Sequence, residues 1–107
     1  MYWLLNSAVI PVGGDGDYRF RTVNRAEAVE WLRSREFVSR IGYPDNQAFI
    51  QRIAGVRVAL SREESAMQPG DEALVVRPVY RLRDGAQKKS FKPRDEDFVF
   101  GILRRLT

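Results

Sequence analysis

The sequence predicts a single domain of the α/β (or α+β) class, a mixed β-sheet flanked by helices on one face, and three observations carry that expectation. Strand-like stretches, alternating or briefly apolar, recur at residues 2–5, 18–23, 72–83 and 98–106. Two stretches of helical spacing, opening at Asn24 and at Pro44, lie between them. With 107 residues the chain can bury one modest core but not two, and no internal repeat or linker divides residues 1–107.

Residues 2–5 form a short apolar first strand that Asn6-Ser7 ends, with residues 8–12 as a candidate continuation. Gly13-Gly14-Asp15-Gly16-Asp17 is a flexible connection: it matches neither common phosphate-loop pattern, and its two Asp repel an anion. Residues 18–23 alternate as a half-exposed strand does. Asn24 is an N-cap with Glu27 three residues on, and Ala28, Val29, Trp31 and Leu32 give that helix its apolar side. Arg33 and Arg35, near its C-terminal end, read as solvated charges.

Residues 37–41 read as a bridge to the second helix, where Phe49, Ile50 and Ile53 share a face and Gly55 is the stop. Residues 56–60 are β-branched enough for a short strand, and Gln68-Pro69-Gly70-Asp71 is a turn. In the best strand, 72–83, Leu74, Val76, Pro78, Tyr80 and Leu82 share one face, and Val75, Arg77, Val79, Arg81 and Arg83 the other. Pro78, lacking an N–H, puts that strand at an edge or gives it a bulge. Asp84-Gly85 turns the chain. Residues 87–94 are basic and irregular, with Lys88, Lys89, Lys92 and Arg94 around Phe91, and are either a solvated loop or a clasp for an anionic ligand. Residues 98–106 close the sheet, with Arg104-Arg105 as surface charge.

The composition, 44% hydrophobic and 30% charged, is that of a soluble globular protein. No apolar run approaches the roughly 20 residues a membrane span needs, and the N-terminus lacks the basic flank of a signal peptide, so a cytoplasmic protein is expected. Without Cys there is no disulfide or thiolate metal site. Without His the commonest metal ligand is gone, and with it the side chain that titrates near neutrality. Catalysis therefore falls to Tyr, Arg, Lys, Asp or Glu. No cofactor is expected, and carboxylate coordination of magnesium stays open. The net charge is +4 and Arg far outnumbers Lys, which suits a small anionic ligand or nucleotide better than a long duplex.

The stretch Ser39-Arg40-Ile41-Gly42-Tyr43-Pro44-Asp45-Asn46 sets Gly42 and Pro44 either side of a phenol at a helix N-terminus. Free N–H groups and the positive end of the dipole favour an anion there. An ordinary loop-to-helix turn with a half-buried Tyr fits the same pattern.

Several pieces in order, Tyr2-Trp3-Leu4-Leu5-Asn6-Ser7, Ile41-Gly42, Gly55-Val56, Arg62, Pro69-Gly70-Asp71-Glu72-Ala73-Leu74-Val75-Val76 and Arg81-Leu82 before Asp84-Gly85, resemble the small viral anti-CRISPR ring nucleases and their CRISPR-associated bacterial relatives. The resemblance implies a homodimer of mixed sheets flanked by helices, with cyclic oligoadenylate, the messenger of type III CRISPR defence, bound across the interface. It implies metal-independent linearisation, in which a ribose 2′-hydroxyl attacks its own phosphate to leave a 2′,3′-cyclic phosphate. Its catalytic positions map to Tyr43, where the family has a His directly after Ile-Gly, to Arg62 and Arg81, and to Asp84, where the family has a Glu. The expected ligand-binding residues are Asn6, Ser7, Gly42, Asn46, Lys88 and Lys89. No membrane or long nucleic acid is expected as partner, and the location is the host cytoplasm if the gene is viral. A protein that sequesters the messenger, a small RNA-binding or interaction domain, and a fold relative with another ligand are the alternatives.

Overall fold

The structure, a computed structural model, describes residues 1–79 and 94–107. In chain order its strands are β1 (Tyr2–Leu5), β2 (Tyr18–Val23), β3 (Phe37–Arg40), β4 (Glu72–Pro78) and β5 (Phe98–Arg105). Helices α1 (Arg25–Ser34) and α2 (Pro44–Ala54) flank β3, and a 3-10 turn, Asp95–Asp97, precedes β5. The sheet order is β2-β5-β4-β1-β3. β1 pairs in parallel with β3 and β4, whereas β5 runs antiparallel to β4 and β2. This is a single α+β domain with a mixed five-stranded sheet, the architecture the alternation of strand and helix signals predicts.

Local chemistry sets the ends of both helices. The Asn24 carboxamide accepts from the Glu27 amide at 2.8 Å, the N-cap the sequence announces, while the Glu27 carboxylate turns outward to Arg21 at 2.6 Å. α2 opens with Pro44 at its first turn and stops at Gly55, whose φ of 67° is the left-handed conformation that glycine adopts without strain. Ala28, Trp31 and Leu32 of α1 and Phe49, Ile50 and Ala54 of α2 pack with Leu4, Leu74, Val76, Phe98, Phe100 and Ile102 of the sheet. Both helices thus cover one face. Phe49 stacks on Phe98 with centroids 3.9 Å apart. Burying each such aromatic stabilises the fold by ~1.5–3 kcal/mol.

The other face is thinner. Trp3, Leu5, Ala73, Val75 and Leu103 form a second cluster, covered by Met67 from the irregular segment after α2. Among the described residues no helix is long and apolar enough to cross a membrane.

Four sequence expectations are corrected. Residues 37–41 are no mere bridge, since Phe37–Arg40 is a parallel edge strand in register with Tyr2–Leu5. Residues 56–60 are no strand and make one isolated bridge, Ile41 to Leu60. The reason lies in α2: Gln51 Oε1 accepts from the Val58 amide at 3.0 Å and Gln47 Nε2 donates to the Val58 carbonyl at 2.8 Å, taking the groups a ladder would use. Residues 8–12 do not extend β1; the chain turns instead, with the Gly14 amide donating to the Pro11 carbonyl. β4 is not an edge strand, since β1 and β5 lie on either side of it. β1, however, pairs only as far as Val75, so Pro78 ends the strand where that side has no β1 partner. The remainder of the expected 72–83 strand, the Asp84-Gly85 turn and most of the basic 87–94 segment lie outside the described residues.

Three of the presumed surface arginines also do structural duty. Arg33 donates to the Ala54 carbonyl at the end of α2 at 2.8 Å. Arg35 lies over the rings of Tyr2 and Trp31, each 5.4 Å away, and 3.6 Å from Glu72. Arg105 donates to the carbonyls of Met67, Asp15 and Thr107.

Candidate functional site

β1 and β3 end side by side, and the chain that leaves each builds a cleft at the carboxyl edge of the parallel strands. Ligands of open sheets with parallel strands commonly bind at that edge. Asn6 follows β1 directly, and its Nδ2 donates to the Arg40 carbonyl at 3.1 Å, tying the two strand ends together. Ser39 Oγ donates to the Ala59 carbonyl at 2.6 Å and the Ser61 amide to the Ile41 carbonyl at 2.8 Å. These bonds lay the segment after α2 along the end of β3. Arg62 is thereby carried back to the helix start, where its Nε donates to the Gly42 carbonyl at 3.2 Å.

Gly42 sits at a close approach between the helix start and Arg62. A Cβ at that position would come within 3.0 Å of Arg62 Cγ, 3.5 Å of the Ser61 carbonyl and 3.7 Å of Asn6 Nδ2. Tyr43 is the N-cap of α2 without a capping side-chain hydrogen bond, and Pro44 after it has no N–H. The first intrahelical bond runs from the Gln47 amide to the Tyr43 carbonyl, so the Asp45 and Asn46 amides head the helix without intrahelical acceptors. Tyr43 is 57% exposed, and the Arg62 guanidinium lies over its ring at 5.6 Å.

The resulting cleft, about 250 Å³, is lined by Asn6, Arg40, Gly42, Tyr43, Arg62 and Glu63. A second of about 170 Å³ shares Asn6, Arg40 and Glu63 with it and adds Ser7, Val9 and Pro11. Arg40 stacks on the Trp3 indole at 5.2 Å, and its NH2 faces the Glu63 carboxylate at 3.5 Å. Among the described residues Asn6 Oδ1 is buried without a hydrogen-bond partner. An open depression of about 710 Å³ lies along α1, and among the described residues α1 alone lines it. Among the described residues no cluster of three or more His, Cys, Asp or Glu side chains could hold a metal ion.

Of the residues singled out in the sequence, Asn6, Gly42, Tyr43 and Arg62 meet in one cleft and Ser7 lines the next. Asn46 is 4% exposed in the first turn of α2, inside the molecule and not on the cleft wall. Arg81, Asp84, Lys88 and Lys89 lie outside the described residues. Sequence reading missed Arg40 and Glu63. The alternation of Val38 and Arg40 with Ser39 would have placed Arg40 on a sheet face had residues 37–41 been read as a strand.

Comparison with known proteins adds a family. A family model described as STIV B116-like matches residues 2–92. "Uncharacterized protein 26" of Sulfolobus islandicus filamentous virus (isolate Iceland/Hveragerdi) is 24% identical over 98 residues, which cover 90% of this chain and 83% of that protein. The solved structure of B116 of Sulfolobus turreted icosahedral virus superposes with a TM-score of 0.74 at 19% identity, covering 97% of this chain and 98% of that one. At that identity the likeness shows a shared fold.

Proposed function

The chain belongs to the STIV B116-like family, and from that premise we propose that it binds cyclic oligoadenylate and linearises it without a metal. One observation carries the reading. An exposed phenol and a guanidinium lying over its ring meet at the start of α2, at Tyr43 and Arg62, in a cleft that Asn6 also lines. Those groups answer what the reaction asks of the protein. A 2′-oxygen attacks phosphorus, the P–O5′ bond breaks, and the 2′-hydroxyl proton passes to solvent while the departing 5′-oxygen gains one. Arg62 stabilises the charge gathering on the phosphorane, and Tyr43 supplies the proton to the 5′-oxygen and recovers it from solvent. Alignment and charge stabilisation account for most of the acceleration in such transfers, with general acid catalysis adding about 10²–10⁴-fold. A phenol is a weaker acid than an imidazolium, so a slow enzyme is expected.

A sequestering role has its own support, since an exposed aromatic ring, Tyr43, with the Arg62 guanidinium 5.6 Å over it offers a base and its phosphate the groups they bind to. Incubation with cyclic tri-, tetra- and hexa-adenylate in excess chelator, read by mass spectrometry, separates the two. A 2′,3′-cyclic phosphate product establishes the nuclease. Intact ring with tight binding establishes the sequestering protein. Absence of both removes the proposal.

A further inference from the structure

Arg40 and Arg62 are presented to the cleft in a similar way, although Arg40 also donates from Nη1 to the Ser39 carbonyl at 3.1 Å. Each is laid over an aromatic ring, Trp3 at 5.2 Å and Tyr43 at 5.6 Å, and each spends its Nε on a backbone carbonyl, Glu64 at 3.3 Å and Gly42 at 3.2 Å. Stacking and the carbonyl bond fix the plane of a guanidinium before a ligand arrives. They differ in what opposes them. Among the described residues Arg62 has no carboxylate partner, whereas Arg40 faces Glu63 at 3.5 Å. The Glu63 side chain is 79% exposed, and that distance is looser than a charge-assisted hydrogen bond. It is a carboxylate lying where a phosphate oxyanion would lie, held by little.

We propose that Arg40 is a second oxyanion-binding guanidinium of this cleft, and that Glu63 competes with phosphate-bearing ligands for it. The proposal rests on the reading of the cleft as an oligoadenylate site. Arg40, Arg62 and Glu63 line the same cleft, so a ligand that carries more than one phosphate oxyanion can engage both guanidinium groups. Glu63 therefore acts as a built-in competitor: it lowers affinity for weakly held anions and yields to a ligand that engages Arg62 as well.

The test is a double-mutant cycle on the whole chain, with cyclic tetra-adenylate as ligand and calorimetry as readout. Glu63→Gln is isosteric and exposed, and it should bind roughly two- to five-fold more tightly, the scale of an exposed ion pair. Arg40→Gln should bind more weakly, and on that background the Glu63 change should have no effect. Arg40→Lys keeps the charge without the planar stack and should fall between. Equal or weaker binding by Glu63→Gln, or a gain that survives loss of Arg40, overturns the proposal while leaving the ring ligand in place. If no variant binds a ring, that ligand reading fails by itself, and titration with inorganic phosphate decides the rest. The Arg40 Nε–H resonance should then shift at lower phosphate in Glu63→Gln than in the parent; no response in either protein overturns the assignment.

Discussion

The guanidinium of Arg62 lies 5.6 Å from the centre of the Tyr43 ring while its Nε holds the carbonyl of Gly42, the residue just before that ring. A side chain twenty residues downstream is thus locked to the start of α2 through both its face and its edge. That couples the phenol to the guanidinium, and substitution can pull their two roles apart.

Tyr43→Phe keeps the ring, and with it the stack, but deletes the proton donor. Ring binding should change less than about three-fold, because the exposed hydroxyl makes no hydrogen bond recorded among the described residues. Single-turnover cleavage should fall by about 10²–10⁴, the usual worth of a general acid. Arg62→Ala should instead lose both binding and rate. If Tyr43→Phe cleaves at the parental rate, the phenol is no acid.

Gly42→Ala tests the close approach itself. The new methyl would stand 3.0 Å from Arg62 Cγ, so the arginine stem must shift by a few tenths of an ångström, which loosens its bond to the Gly42 carbonyl and its place over the ring. Affinity for a ring ligand should drop several-fold, with little change in melting temperature because Arg62 is an exposed side chain. Unchanged affinity with unchanged melting would mean that the Arg62 position carries no binding energy.

Asp71 is where acid should act on stability. Burial pushes its carboxyl up, but hydrogen bonds from the Gln68 amide, the N-terminal ammonium and the Trp3 indole outweigh that and hold it below its ordinary value. The unfolded chain then takes up the proton at higher pH than the folded one. Its stabilising contribution is complete above the unfolded value of about 3.9 and is lost as pH falls through the lower folded value. Asp71→Asn should cost ~1–3 kcal/mol at neutral pH, since it weakens bonds to buried donors. Thermal melts of parent and variant should converge as the pH is taken down toward 3 (roughly); a gap that stays constant would mean that Asp71 is not the group titrating.

What was legible in the sequence is what chemistry within a few residues decides. The Asn24 cap, Pro44 at the first turn of α2 and Gly55 at its stop each act through their own backbone, and each end was read correctly. Residues 37–41 and 56–60 depart from their sequence patterns because their state depends on distant partners. Phe37–Arg40 is a strand because Tyr2–Leu5 lies beside it, and Val58 is denied a ladder by the side chains of Gln47 and Gln51. The site divides the same way. Gly42 and Tyr43 followed from the helix start, and Asn6 and Arg62 from the family pattern. Arg40 and Glu63 meet only because the chain after α2 folds back along β3, a path that no local pattern encodes.

Arg105 offers the last test, of the thin face of the sheet. Its NH1 donates to Met67 at 2.6 Å, its NH2 to Asp15 at 2.7 Å and its Nε to Thr107 at 2.9 Å, with the guanidinium over the Tyr18 ring at 5.6 Å. One side chain therefore ties the glycine-rich connection at 13–17 to the segment at 61–68 that carries Arg62 and Glu63. Without it the Met67 and Asp15 carbonyls lose their donor, and Met67, which is 7% exposed, loses the bond that seats it on Trp3 and Leu5. Arg105→Ala should cost ~1–3 kcal/mol. The loss should be uneven: amide exchange should speed up at 13–17 and 61–68 and hardly change in α1 and α2, which pack on the opposite face. Ring affinity should fall as well, since the segment bearing Arg62 is held at one end by this contact. If exchange rises evenly through helices and strands, the tie is merely one more contribution to global stability, and the cleft does not depend on it.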